Sequence, residues 1–523
     1  MSDPARTSAP AVHGGLIAVM ASVLLVAIGA RWLAYTGFFG SDEVTYIASA
    51  NRVLDGDWAL DDYVGANRLG VNLPMAALAA LFGRGELGAA LYSLLSSVGE
   101  VLLVAWLGAR LFGLRAGLIA GLLLATLPTH VHFAGRIMAD APLSLFITAA
   151  FVAFVEGEWR RSRALTALAG VLAGLTFLIK PVTIIVFAIL LFYPLVVRRW
   201  DHRWWWMVVG FVGAMVFNGL LYMAFTGRFW YVFESVIERR QSGYLEAGVA
   251  AGEIHNEPAF YLRYLFGRVY HTGLLGYLAL LGAVVLVWRR GSEWPASRFV
   301  LFWAIGTMLL FSLLPVSLDP LLLIPKQTNY MLIFVAPLCL LAGAGLARWP
   351  GSASLTLTAA AMGVGLVFAL MLQASVAAFT ANSQRILAEL SERPQTTLHV
   401  MSNAYRAASF RALVGGPDLR ARVVALGAAP PTPQPFERWV VIDPETFDWD
   451  DSAPLARWND PPACWQLEET WAAQPSSTGT TLVRAFHRLA GSLPGSLAVR
   501  VRSRLQALIA PRPARLYRVP AGC

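Results

Sequence analysis

The chain is short of charge: only 14% of its 523 residues are Asp, Glu, Lys or Arg, while 57% are hydrophobic. A soluble domain carries about 25% charged residues, and the mean hydropathy of +0.57 excludes that class. Cysteine is scarce too. Cys339, Cys464 and Cys523 show no metal-ligand spacing, and Cys464 and Cys523 can pair only if their part of the chain lies in an oxidising compartment. No Gly-rich phosphate loop follows a strand pattern, so no nucleotide-sugar site is marked. Lysine is nearly absent, since Lys180 and Lys326 are the only two among 41 basic residues. The basic residues behind the net charge of +9 are therefore almost all arginine. Those in short connections on a membrane rim speak for topology and imply no nucleic-acid partner.

What is present is a succession of apolar runs. Runs long enough to form spans number about eleven, near 14–37, 86–109, 115–130, 140–156, 164–179, 181–197, 205–226, 272–288, 298–317, 330–347 and 353–377. The first exceeds a secretory signal and has no small-residue cleavage site after it, so it reads as a retained helix. Short connections carrying Arg110 and Arg115, Arg160 to Arg163, Arg198 to Arg203, Arg289 to Arg298, and Arg348 share one side. Arginine-bearing short loops are cytoplasmic. The amino terminus is then inside and the tail from about 381 outside. The expected fold class is a polytopic α-helical membrane protein with a small C-terminal α/β extracytoplasmic domain. The expected domains are a transmembrane module over 1–380, with outer loops at 38–85 and 227–271, and a soluble domain over 381–523. Residues 66–84, flanked by Arg68 and Arg84, fit an interfacial helix on the outer leaflet. In the tail, Trp439–Asp443, Thr480–Phe486 and Leu516–Val519 read as strands. A stretch with Arg406 and Arg411 reads as helix, and the prolines of 430–435 as a surface loop or linker.

That topology gathers chemistry on the outer face. The first loop supplies Asp42, Glu43, Tyr46 and Arg52, followed by Asp55, Asp57, Asp61 and Asp62. Adjacent carboxylates at a membrane boundary are costly beside lipid and mark chemistry or an ion path. Short turns add His130, His132, Arg136 and Asp140, then Lys180, then Lys326, Asn329 and Tyr330. Carboxylates that activate a nucleophile and cations that hold a departing phosphate suit group transfer. Asp140 before Ala-Pro also fits a helix start. His130 and His132, two apart on a helix, do not face one another as ligands. The loop 227–271, with Arg239, Arg240 and Glu253 among aromatics, fits either a lid over acceptor or an amphipathic segment on headgroups.

Asp42-Glu43 with Tyr46 and Arg52, Arg136 with Asp140-Ala-Pro142, Phe177-Leu-Ile-Lys180-Pro181, and Lys326 with Tyr330 form an ordered set. It resembles the class C glycosyltransferases that use a polyprenyl-phosphate sugar, in the branch of the protein O-mannosyltransferases and lipid A aminoarabinose transferases. The resemblance covers roughly 14–350 well and the tail loosely. It implies Asp42 as acceptor-activating or acceptor-orienting base, Glu43 in support of it or on the acceptor, and Asp140 as a further acidic residue. It implies Arg136, Lys180, Lys326 and Tyr330 at the donor phosphate, with Tyr46 and Arg52 on substrate; the loop 227–271 adds Arg239 and Arg240 as substrate contacts. Displacement would invert the sugar. No metal site is assigned; some class C enzymes need a divalent ion and others do not. The implied partners are a polyprenyl-phosphate sugar donor, membrane lipids, and a lipid, protein or polysaccharide acceptor, at a bacterial plasma membrane. The alternative is a transporter or flippase of lipid-linked glycans, which would place charge at mid-membrane and commonly show internal repeats.

Overall fold

The structure is a computed structural model that describes residues 9–57, 64–250, 252, 254–393, 397–400, 421–426, 437–445, 460–472 and 474–523. Asp61, Asp62, Glu253, the stretch with Arg406 and Arg411, and the prolines of 430–435 lie outside the described residues.

Each expected span is helical over most of its length. Among the described residues, seven helices are long and apolar enough to cross a membrane alone: Gly14–Leu33, Glu86–Phe112, Asp140–Arg160, His202–Thr226, Trp294–Leu313, Thr328–Leu346 and Gly351–Glu392. The span expected at 115–130 is instead two helices, Leu114–Ala125 and Pro128–Gly135, bent by 57°. Pro128 has no N–H to continue the ladder, so the first helix ends before it. Helices Arg163–Ile179, Pro181–Val197 and Leu275–Trp288 fill the remaining positions, each shorter than the ~20 residues of an upright crossing. The segment expected at the interface forms helix Leu69–Phe82. The loop 227–271, expected on the outer side, holds four short helices among its described residues, Tyr231–Gln241, Tyr244–Ala250, Phe260–Gly267 and Val269–Thr272.

Two compact units result. One comprises Met1–Leu33, Ser49–Leu78 and Ala90–Ala369; the other comprises Ala34–Ala48, Ala79–Ala89 and Leu370–Cys523. In the first, helices Arg163–Ile179 and Trp205–Thr226 touch backbone to backbone. A Cβ at Gly170 would stand 1.9 Å from Met207 O, and one at Gly210 would stand 2.0 Å from Ala167 O. Lipid offers no hydrophobic drive between helices, so such close packing carries the association. The same unit holds a hairpin of strands β1 (Pro315–Leu318) and β2 (Leu321–Leu323).

Among its described residues the second unit holds a five-stranded sheet built from β3 (Leu398–Val400), β4 (Val423–Ala425), β5 (Arg438–Ile442), β6 (Gln466–Trp471) and β7 (Ala514–Val519). The order is β4-β3-β5-β7-β6. β3 runs parallel to β4 and β5, while β7 is antiparallel to both β5 and β6. Alternation splits the strands cleanly. Val400, Val441 and Leu516 pack on Ile386 and Leu390 of helix Gly351–Glu392; Val440, Ile442 and Tyr517 pack on Trp465. Cys464 and Cys523 form a disulfide with a Cα separation of 6.1 Å. One expected strand is wrong: Thr480–Phe486 lies in helix Thr478–Leu489. The Ser477 side chain caps it by accepting from Thr480 N at 3.0 Å. Val483 and Phe486, three apart on one helical face, pack against Ala374, so helical period overrides the local β-branched character.

Candidate functional site

Lys180 stands where helix Arg163–Ile179 must stop. The following Pro181 disfavours helical backbone at Lys180, whose φ and ψ are −151° and 114°. The corner is pinned on both sides: Lys180 N donates to Thr176 O at 2.9 Å, and Thr183 Oγ1 donates to Lys180 O at 2.6 Å. The side chain therefore turns inward. Its Nζ donates to Asp140 Oδ1 at 2.6 Å and lies 4.6 Å from the centre of the Tyr330 ring. Asp140 is the first residue of helix Asp140–Arg160 and does not cap it, since the capping position is Ala139. Of its two expected uses, the helix cap is thus replaced by an ion pair. With side chains 6% and 1% exposed, this pair is held by geometry and hydrogen bonding, because burying two charges gains little by itself.

Beside it opens a cavity of about 730 Å³. Its walls are apolar, among them Phe177, Ile184, Val232 and Leu314, while Lys180, Arg68, Arg239, Arg240 and Tyr330 also line it. Arg239 lies 4.4 Å from the Tyr244 ring centre, and Arg240 is paired with Glu246. Both therefore reach the cavity from the helix that the loop 227–271 contributes. Arg68 was legible in the sequence only as a flank of the interfacial segment.

Lys326 is 2% exposed. Its backbone N donates to His255 O at 3.2 Å, and its Nζ has no hydrogen-bond partner among the described residues. Burial pulls its pKa down to about 8. Its neighbours Ile324 and Pro325 line the cavity. Arg136, 8% exposed, ends helix Pro128–Gly135 with its guanidinium 6.0 Å from the Phe133 ring. The structure thus brings Asp140, Lys180 and Tyr330 into direct contact and sets Arg239 and Arg240 on the cavity they border.

Asp42 and Glu43 belong to the second unit. Glu43 is wholly buried and opens helix Glu43–Leu54; its Oε1 accepts from Phe39 N at 2.9 Å. Asp42 is half-buried, and its Oδ2 accepts from Tyr46 Oη at 3.3 Å. Tyr46 is itself buried, so it steadies Asp42 rather than offering open surface. Arg52 sits nine positions along the same helix from Glu43, a rise of about 13 Å. Among the described residues, no three His, Cys, Asp or Glu side chains converge to hold a metal ion.

The sequence alone missed a buried network. Glu100 Oε2 meets His130 Nε2 at 3.0 Å, and Glu100 Oε1 accepts from Ser144 at 2.7 Å and Thr148 at 2.9 Å. His130 Nδ1 lies 2.8 Å from Arg31 Nη2, whose guanidinium also reaches Ser97 Oγ and Ala125 O. Glu100 thereby joins the helix ending at Arg136 to the helix beginning at Asp140. The available signal was a glutamate in the middle of an apolar run. His130 is a member of this network.

Residues 69–222 match the family described as dolichyl-phosphate-mannose-protein mannosyltransferase. The structure is similar to that of ArnT from Cupriavidus metallidurans in the apo state, with TM-score 0.57 and 18% identity over 87% of this chain and 96% of that one. ArnT bound to undecaprenyl phosphate gives TM-score 0.56 at 18% identity, over 87% and 96%. The Archaeoglobus fulgidus oligosaccharyltransferase in its apo form gives TM-score 0.52 at 13% identity, over 85% of this chain and 71% of that one. No curated protein matches the sequence.

Proposed function

We propose that this chain, which has the fold of the class C glycosyltransferases, is an integral membrane enzyme that moves a sugar from a polyprenyl-phosphate donor to an acceptor hydroxyl. The observation that carries this is the cavity of about 730 Å³, apolar in its walls and lined by Lys180, Arg68, Arg239 and Arg240. A prenyl chain fits such walls, and a phosphodiester fits those cations. The match to a mannosyltransferase family and the undecaprenyl phosphate bound by the similar ArnT support a donor of that class.

In the reaction proposed, the acceptor oxygen bonds to the anomeric carbon as the bond from that carbon to the phosphate oxygen breaks. The acceptor proton passes to Asp42, which Tyr46 orients and Glu43 backs. The electron pair leaves on the phosphate, where Lys180, Arg136 and Lys326 offset its charge, and Tyr330 holds the Lys180 ammonium in place. Asp140 sets the position of Lys180, and Arg239 and Arg240 admit the donor. Direct displacement inverts the anomeric centre. The arginine-rich connections support a cytoplasmic amino terminus and chemistry on the opposite face, with residues 381–523 as an extracytoplasmic soluble domain.

The test uses purified protein in lipid nanodiscs with a panel of polyprenyl-phosphate sugars and cell-envelope extract as acceptor, following free polyprenyl phosphate by mass spectrometry. Release should require acceptor. Asp42→Asn should lower turnover by about 10²–10⁴ and leave donor binding near wild type. Turnover in Asp42→Asn equal to wild type would remove that residue from the mechanism. Movement of lipid-linked glycan across the bilayer without release would replace the transferase with a transporter.

A further inference from the structure

From residue 471 to residue 523 the chain has eight arginines and no aspartate or glutamate. Almost all of the formal excess of +9 thus resides in about a tenth of the chain. Five of these arginines lie on a hairpin of helices Thr478–Leu489 and Gly495–Ala507. The inner faces of the hairpin, through Val483, Leu505 and Ile509, pack on Met371 and Ala374 of helix Gly351–Glu392. Gly479 N is held there by Gln373 Oε1 at 2.8 Å. With the inner faces occupied, the turn between the helices presents Leu489, Leu493 and Leu497, which are 67%, 38% and 46% exposed. Scattered exposed leucines are ordinary, but three within nine residues of one turn, between helices that carry five arginines, mark a contact surface.

The depth of this turn follows from the helix it grips. At 1.5 Å per residue, a hydrocarbon core of ~30 Å takes ~20 residues. Counted from Gly351, that length ends near Met371. Gln373 is the first amide side chain of the helix and Arg385 its first charge. Met371 and Ala374, on which the hairpin packs, stand at the end of that length.

We infer that this hairpin is a membrane-docking element, whose leucines enter the interface and whose arginines bind the anionic phospholipid headgroups of the bilayer that holds the chain. Basic residues beside apolar ones at headgroup depth are the chemistry of interfacial anchoring, and each arginine near an anionic surface strengthens it about fivefold.

The test places an environment-sensitive fluorophore on Leu493→Cys in the full chain, reconstituted one copy per nanodisc. The buried Cys339 and the Cys464–Cys523 disulfide do not compete for the label. Discs of phosphatidylcholine are compared with discs that also contain phosphatidylglycerol, using brominated acyl chains and aqueous iodide as quenchers. With phosphatidylglycerol, lipid quenching should rise several-fold and iodide quenching should fall. Changing Arg488, Arg500 and Arg504 together to Gln should reverse both effects while melting stays as in wild type. A second label on Val499→Cys should report the same if Leu493→Cys disturbs folding. Equal iodide access in both lipids overturns the inference. Protection that ignores both the anionic lipid and the glutamines overturns it as well, as does protection seen only with two copies per disc, which would assign the surface to a second copy.

Discussion

At the scale of single residues, charge here is set by where a side chain is confined. Arginine stays protonated under any condition the protein meets, whereas lysine yields readily to burial. Lys326 is pulled to about 8 by burial, so its ammonium is present below that pH and lost as pH rises through it. A phosphodiester keeps its charge throughout. The proposed donor should therefore bind about tenfold more weakly at pH 9 than at pH 7, and Lys326→Arg should flatten the profile at the strong end. Lys326→Gln should flatten it at the weak end. Donor KM measured across that range checks all three. Both lysines were legible in the sequence because they interrupt an otherwise all-arginine inventory. That Asp140 would take the Lys180 ammonium was not. The two are forty positions apart, and their meeting depends on how two helices pack.

At the scale of elements, the apolar runs made the helices legible, but the partition of polar groups inside them was not. A single glutamate in an apolar run does not announce its partner. Glu100 meets His130 on one helix and Ser144 and Thr148 on another, so its removal leaves Arg31 and His130 buried without their anion. Glu100→Ala should cost about 3–5 kcal/mol and lower the temperature of thermal inactivation in detergent. Glu100→Gln keeps an acceptor for Ser144 and Thr148 and should recover more than half of the loss. Equal loss in both variants would show that the charge, and not the hydrogen-bonded geometry, joins the helices. The bend at Pro128 was carried by the sequence and was still read as one span, because apolar length says nothing of direction. The segment from Thr480 misled in the opposite way: its β-branched residues suggest a strand, while its partner face on Ala374 lies a hundred residues earlier.

At the scale of the whole molecule, the class C fold was legible from the order of spans, loops and tail, and the five-stranded sheet only in part. β5 and β7 were visible as apolar runs; β4 is apolar but only three residues long, and β6 is largely polar. Asp443, just past β5, is buried, and its Oδ1 accepts from Asn382 at 2.7 Å and from Glu445 N at 3.1 Å. Burial is the main cause that raises its pKa to about 7, with Glu445 adding to the rise and Asn382, the Glu445 amide and Arg512 opposing it. A raised carboxyl favours the fold while protonated. This contribution is complete below the unfolded value of 3.8, declines as pH rises and is gone above about 7. Asp443→Asn should keep it at all pH values. At pH 8 the variant unit should be more stable by on the order of 1–3 kcal/mol, with the gap closing below pH 4, as scanning calorimetry or limited proteolysis across pH would show.

The position of β7 also dictates an order of events. It pairs with β5 on one side and β6 on the other, yet it follows both in the chain. During synthesis the membrane helices are complete while β5 and β6 still expose unsatisfied edges. Those edges close only when Ala514–Val519 arrives. The sheet is therefore an assembly finished after membrane insertion, and for that interval its half-built edges are open to whatever strand comes near, a holding chaperone or a neighbouring nascent chain among them.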